Sequence, residues 1–230
     1  MRNGVNVPLS AYDGYLFDLD GTLVDTAPDI SAALNHALQR HGYSGFDEAL
    51  ARHWVGHGAR VLIRQALQNQ QAPDADTDSN SEAITEALLA DFIGYYEEHI
   101  ADFSKPYPAV IDTLTQLNKR GAKLAIVTNK LTALSKQVLD ALELTRYFQS
   151  IVCGDSTDNP KPAADPALLA CRELSVPVTR VLFVGDSATD VDCARAAGCD
   201  VVCVPDGYNH GIAASELGAD AVIESLQDLV

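Results

Sequence analysis

Long hydrophobic runs are missing from this chain of 230 residues. No stretch approaches the ~18 apolar residues that cross a bilayer. Residues 1–10 lack the apolar centre of a signal peptide, so a cytoplasmic location is expected. Basic residues are scarce, with 16 Lys and Arg against 32 Asp and Glu and a net charge of −16. That surplus repels polyanions, which argues against nucleic acid or an anionic membrane as partner. An anionic substrate would need positive charge concentrated in its pocket. Paired cysteines are lacking too: the five form an odd set with no Cys-x-x-Cys, which fits reduced thiols better than a disulfide framework. Cys199 and Cys203 flank the apolar pair Val201-Val202 and read as core thiols rather than metal ligands. Residues 68–81 are poor in apolar side chains and rich in Gln, Asp, Asn and Ser, the composition of an exposed loop without chemistry.

What is present is organised around Tyr15-Leu16-Phe17-Asp18-Leu19-Asp20-Gly21-Thr22. An apolar run ending in two acids and a glycine reads as a buried strand that delivers carboxylates to the open end of a sheet. Side chains alternate along extended backbone, so Asp18 and Asp20 share a side while Leu19 faces the core. Carboxylates this close repel unless a divalent cation neutralises one or one keeps its proton. A solvated turn or an isolated calcium loop remains open for this stretch taken alone.

A hydrophobic content of 47% allows one large core, or a core with a smaller satellite. Thr26-Ala27-Pro28-Asp29 reads as a helix start with a capping hydroxyl, an early proline and a first-turn acid, and Gly42 as its stop. Further helices are expected over 47–53, 59–69 and 82–100, with the loop Val55-Gly56-His57-Gly58 between the first two of these. After Lys105-Pro106-Tyr107-Pro108 the pattern alternates. Helices fall at 110–117, 132–142, 165–174 and 188–197, and short apolar strands at 123–127, 150–153, 181–184, 200–204 and 221–223. Continuous apolar strands separated by helices imply an α/β fold, a doubly wound parallel sheet covered on both faces. The helical block interrupts this alternation after its first strand. It is read as an inserted all-helical domain over 25–105, with hinges near 21–26 and 103–108 and a core made of 1–24 and 106–230.

Polar groups stand at the carboxyl ends of three of these strands: Asp18 and Asp20, Thr128 and Asn129, and Asp186, with Asp190 a helical turn later. Ligands bind just outside such strand ends in open parallel sheets. A cation is available in Lys161, set between Pro160 and Pro162, although a lone loop lysine is more often solvated surface.

Asp18-Leu19-Asp20-Gly21-Thr22, Thr128-Asn129, Lys161-Pro162 and Gly185-Asp186-Ser187-Ala188-Thr189-Asp190 resemble, in order, the four signatures of the haloacid dehalogenase superfamily. The helical insertion is similar to that superfamily's cap. Trp54-Val55-Gly56-His57-Gly58-Ala59, Thr128-Asn129-Lys130 and Gly207-Tyr208-Asn209-His210-Gly211 further resemble the bacterial phosphoglycolate phosphatases. The resemblance implies a phosphomonoester hydrolase in which Asp18 attacks phosphorus and Asp20 serves as acid and then base. It implies Mg²⁺ held by Asp18, Asp186 and the backbone carbonyl of Asp20. Thr128, Asn129 and Lys161 would bind the phosphoryl group, with Asp190 supporting Lys161 or the metal's waters. Substrate choice would fall to the cap, with His57, Arg60 and Lys130 as candidate contacts for a small carboxylate. The partner implied is a small phosphorylated metabolite, and the chain would be a monomer or homodimer. Competing readings are another small-substrate phosphatase, a pyrophosphatase and a phosphomutase on the same core. A dehalogenase has no need of Asp20, and a phospho-accepting receiver module needs neither Asp20 nor a cap.

Overall fold

The computed structural model describes residues 8–70 and 78–230. Its strands in chain order are β1 (Gly14–Phe17), β2 (Val24–Asp25), β3 (Lys105–Pro106), β4 (Lys123–Val127), β5 (Ser150–Val152), β6 (Val181–Gly185), β7 (Asp200–Cys203) and β8 (Ala221–Val222). The helices are α1 (Ala27–Arg40), α2 (Glu48–Arg52), α3 (Ala59–Asn69), α4 (Asp78–Glu98), α5 (Val110–Lys119), α6 (Thr132–Ala141), α7 (Asp165–Leu174) and α8 (Ala188–Ala197).

Six strands form one parallel sheet in the order β5-β4-β1-β6-β7-β8. Alternation along β1 feeds two apolar layers: Tyr15 and Phe17 enter one, and Leu16 the other. Both faces are covered, as parallel strands require, and the expected α/β class is what the chain adopts. Phe17 pairs with Ile126 of β4 and Val184 of β6, so the three strands end level. The chain leaves β1 toward β4 and β5, then returns to β6 on the other side, and this reversal opens a crevice beyond the strand ends. All five cysteines are free and buried, as thiols of a core.

Helices α1 to α4 form a third apolar cluster that includes Leu34, Leu38, Ile63, Leu88 and Phe92. Leu134 of α6 and Tyr208 belong to it as well, so the helical unit is seated on the α/β unit through apolar contact. Each such fully buried side chain contributes about 1.5–3 kcal/mol relative to exposure.

Several local expectations change. Helix α3 runs through Asn69 and α4 begins at Asp78, so the expected loop over 68–81 is shorter at both ends; its remainder at 71–77 lies outside the described residues. Val110, Leu114 and Leu117 of α5 are buried, whereas Ile111 is 47% exposed. Thr26 does not cap α1: its hydroxyl donates to Asp20 Oδ1 at 2.7 Å instead. The orphan amides of Thr26 and Ala27 donate to the Tyr208 hydroxyl at 2.8 and 2.9 Å, which in turn donates to Asp25 Oδ1. A residue some 180 positions away thus caps the helix, which no local pattern announces. The two connections read as hinges lie side by side as an antiparallel pair, Val24 opposite Pro106 and Asp25 opposite Lys105. Asp29 ties the second of them to α1 by accepting from the amides of Phe103 and Ser104.

Candidate active site

The ends of β1, β4 and β6, with the loop that follows β5, bring eight of the residues singled out in the sequence into or beside one crevice. Asp18 follows β1 directly, and its amide still donates to Val184 O of β6 at 3.0 Å, so the strand's hydrogen bonding fixes where its side chain emerges. Leu19 turns into the core, and Asp20 emerges on the same side as Asp18. Gly21 then adopts φ +89°, and a Cβ there would lie 2.5 Å from Asp186 Oδ2. Gly207 is held to glycine more tightly, since its Cβ would lie 2.0 Å from that of Asp186.

Two lysines divide the carboxylates between them. Lys161 Nζ lies 2.9 Å from Asp18 Oδ1 and 2.7 Å from Asp190 Oδ1. Burial alone would lower this ammonium, but Asp18 and Asp190 hold it above its ordinary value. Asp190 Oδ2 accepts from the amides of Asp186 and Ser187 and from the Ser187 hydroxyl, a capping box that starts α8 and fixes the acid. Lys130 Nζ pairs with Asp20 at 3.0 and 3.2 Å. Asp186 takes the Thr22 hydroxyl at 2.7 Å on one oxygen and the Tyr208 amide on the other.

One carboxylate oxygen each from Asp18, Asp186 and Asp190 lies within 4.8 Å of the others. Burial pushes Asp18 up to about 7 against the pull of Lys161, with Asp190 adding to the rise. Burial, Asp190 and Asp18 together raise Asp186 well above the usual carboxylate range. Asp18 Oδ1 is buried, and the Lys161 ammonium lies 2.9 Å from it as an ion pair. Three buried carboxylates with a single ammonium among them make an all-oxygen donor set that fits a hard divalent cation. The Asp20 carboxylate is not one of the three; it is occupied by Lys130 and Thr26.

Beyond these groups lies a cavity of roughly 50 Å³ between the helical unit and the sheet, lined by Asp18, Asp20, Thr128 and Lys130 on one side. Gly56, Gly58 and Ala59 at the start of α3, with Ile30, Leu62, Phe92 and Tyr96, close the other side. Asn129 stands at its edge and braces the Lys161 loop, its Nδ2 donating to Lys161 O at 3.0 Å. Arg60 does not reach the cavity: its guanidinium turns outward to Glu82 at 2.9 Å and to Glu86. His57 stops at the rim, exposed, beside His210 at 4.5 Å between ring centroids and 3.4 Å from Thr189 Oγ1. No pattern in the sequence marks Tyr96 as a lining residue, or Thr22, Thr26 and Tyr208 as a layer behind the carboxylates.

The family model for haloacid dehalogenase-like hydrolases matches residues 15–204, which takes in every acid and lysine of this crevice. The chain belongs to that family. Phosphoglycolate phosphatase 1 of Pseudomonas aeruginosa is 39% identical to it over 215 residues, which is 94% of this chain and 77% of that protein. The phosphoglycolate phosphatase of Escherichia coli K12 is 36% identical over 228 residues, 94% of this chain and 90% of that one. Among solved structures, a predicted phosphoglycolate phosphatase of Haemophilus somnus superposes with a TM-score of 0.88 at 33% identity, covering 95% of this chain and 96% of that one. These likenesses span both the sheet and the helical unit.

Proposed function

We propose that the chain hydrolyses small phosphomonoesters, 2-phosphoglycolate foremost, through a phosphorylated Asp18. The observation that carries this reading is the charge arrangement in the crevice. Four buried carboxylates, Asp18, Asp20, Asp186 and Asp190, face only two buried ammonium groups, Lys130 and Lys161. Such a site repels a phosphate dianion until a dication is added, so the residues fit a phosphoryl-transfer centre that is completed by metal. Mg²⁺, held by Asp18, Asp186 and the Asp20 carbonyl, would screen the attacking carboxylate from the phosphoryl charge.

Asp18, aligned by Lys161, attacks phosphorus to form an acyl phosphate. Asp20 gives a proton to the departing alkoxide and then takes one from the water that cleaves the acyl phosphate. Thr128 Oγ1 accepts from the Lys130 amide at 3.3 Å, which leaves its hydrogen for a phosphoryl oxygen. Lys161, fixed by Asp190, supplies positive charge beside the transferred group. Residues 25–105 act as a cap that selects the leaving group and excludes water. The small, largely apolar cavity supports a leaving group of two or three carbons. Lys130, the one cation among its lining residues, supports a single carboxylate over the second phosphate that a phosphomutase must hold.

Phosphate release would be followed with Mg²⁺ across 2-phosphoglycolate, pyrophosphate, sugar phosphates and chloroacetate, with Asp18→Asn as control. The expected result is a kcat/KM for 2-phosphoglycolate at least tenfold above the next substrate, about 1.4 kcal/mol of discrimination. EDTA should abolish turnover, and Mg²⁺ should restore it. Leadership by another ester would refute the substrate, and equal rates for parent and Asp18→Asn would refute the nucleophile.

A further inference from the structure

Lys130 is an unusual neighbour for a candidate proton donor. It is 8% exposed, and its ammonium lies 3.0 and 3.2 Å from the two oxygens of Asp20 and 2.9 Å from the Tyr96 hydroxyl. The two oxygens of one carboxylate lie too close together to take separate N–H groups, so they share one hydrogen of the ammonium while the Tyr96 oxygen takes a second. Tyr96 is 1% exposed and presents its ring as well, with Nζ 4.6 Å from the centroid. Burial pushes the Tyr96 phenol up to about 12, so it stays neutral and its oxygen accepts from the lysine. The two partners come from different units: Asp20 follows β1 of the sheet, while Tyr96 stands on α4 of the helical unit. Thr26 Oγ1 holds Asp20 Oδ1 from a further direction at 2.7 Å, so the carboxyl plane is set by Thr26 and Lys130 together.

We propose that Lys130 is a positioning residue for Asp20 and that Tyr96 anchors it, so that the seating of α4 on the sheet sets the orientation of the proton donor. This rests on the reading of Asp20 as the acid and deepens it. When α4 is seated, the tyrosine holds the lysine and the lysine aims the carboxyl at the leaving oxygen. When α4 is displaced, the lysine loses its tyrosine partner and Asp20 loses its fixed plane. The chemical step is thereby tied to closure of the helical unit without any cap side chain touching the reacting atoms.

The test compares ethyl phosphate, whose alkoxide must be protonated to leave, with 4-nitrophenyl phosphate, whose phenolate leaves unaided. Neither carries a carboxylate, so a lost contact between Lys130 and the substrate cannot imitate the effect. Single-turnover release of the alcohol or phenol would be followed in the parent, Lys130→Met, Lys130→Arg, Tyr96→Phe and, as reference, Asp20→Asn. With ethyl phosphate, release should slow ~30–100-fold in Lys130→Met and ~3–10-fold in Tyr96→Phe, a part of the ~100–10,000-fold that a general acid contributes. With 4-nitrophenyl phosphate both should change less than ~3-fold. Lys130→Arg should recover part of the loss. Equal slowing with both esters, or none with either, overturns the proposal while Asp20→Asn still discriminates between them. If Asp20→Asn itself fails to discriminate, the acid assignment falls and this proposal with it. Tyr96→Phe keeps the lysine and the ring, and so tests the anchor even if Lys130→Met does not fold.

Discussion

Replacing Asp190 by Asn isolates one charge in the centre of the site. Asp190 is wholly buried, its Oδ1 lies 2.7 Å from Lys161 Nζ, and its Oδ2 accepts three hydrogen bonds at 2.8–3.1 Å. The amide that replaces it has one acceptor oxygen. If that oxygen keeps the three donors at the start of α8, the NH₂ group meets the Lys161 ammonium, donor against donor. Removing one partner from a buried ion pair costs about 3–5 kcal/mol. Lys161 retains Asp18 at 2.9 Å, so the low end applies and a loss of about 3 kcal/mol is expected. For a chain of this length that corresponds to roughly 6–12 °C in Tm. Urea unfolding in EDTA at pH 7 would report it by linear extrapolation, with unchanged slope. The double variant with Lys161→Met should lose less than the sum of the two single changes, because the orphaned ammonium is gone. A cost below about 1 kcal/mol for Asp190→Asn, or strict additivity, would refute the view that this pair is stabilised by burial and by its shared partner.

Arg60→Ala should leave KM for 2-phosphoglycolate within about twofold, because the guanidinium is tied to Glu82 and Glu86 outside the cavity. Steady-state kinetics decide this, and a tenfold rise in KM would contradict the placement. Gly94→Ala should stabilise α4 by about 0.8–1 kcal/mol, since a Cβ there meets nothing within 4 Å and glycine is a poor helix former; thermal unfolding checks it. Burial would raise the Asp25 carboxyl, but Arg52, bonded to both its oxygens at 2.9 and 3.1 Å, and Tyr208 hold it below its ordinary value of 3.8. Its charged form therefore stabilises the fold, fully above pH ~4–5 and progressively less as pH falls through the lowered native value. The stability difference between the parent and Asp25→Asn should accordingly be flat from pH 5 to 7 and shrink below pH ~4. A difference that grows on acidification would reverse the sign of the argument.

Much of this protein was legible in one dimension. The apolar runs that became β1, β4 and β6 carry their polar residues immediately after the last apolar position, and a parallel sheet leaves such residues only one place to go. Periods of two and 3.6 set the layers of Tyr15, Leu16 and Phe17 and the inner face of α4, because solvent exclusion acts on local geometry that the sequence spells out. That is why Asp18, Asp20, Thr128, Lys161, Asp186 and Asp190 could be marked from the chain alone.

Partner choice was not legible, because it depends on which side chains meet across distances that no period encodes. Arg60 has the right chemistry for a carboxylate, yet its place on α3 turns it to acidic neighbours on α4. Thr26 sits where a capping hydroxyl belongs, but Asp20 takes the hydroxyl and Tyr208 takes the cap. Lys130, expected as a contact for the substrate's carboxylate, is buried between a carboxylate of the sheet and a phenol of the helical unit. The sequence by itself determined the elements, their layers and the strand ends at which chemistry gathers, since these follow from backbone geometry and apolar patterning. Only the tertiary structure decided which charge neutralises which, since a buried ion is stable only beside the partner that packing has brought to it.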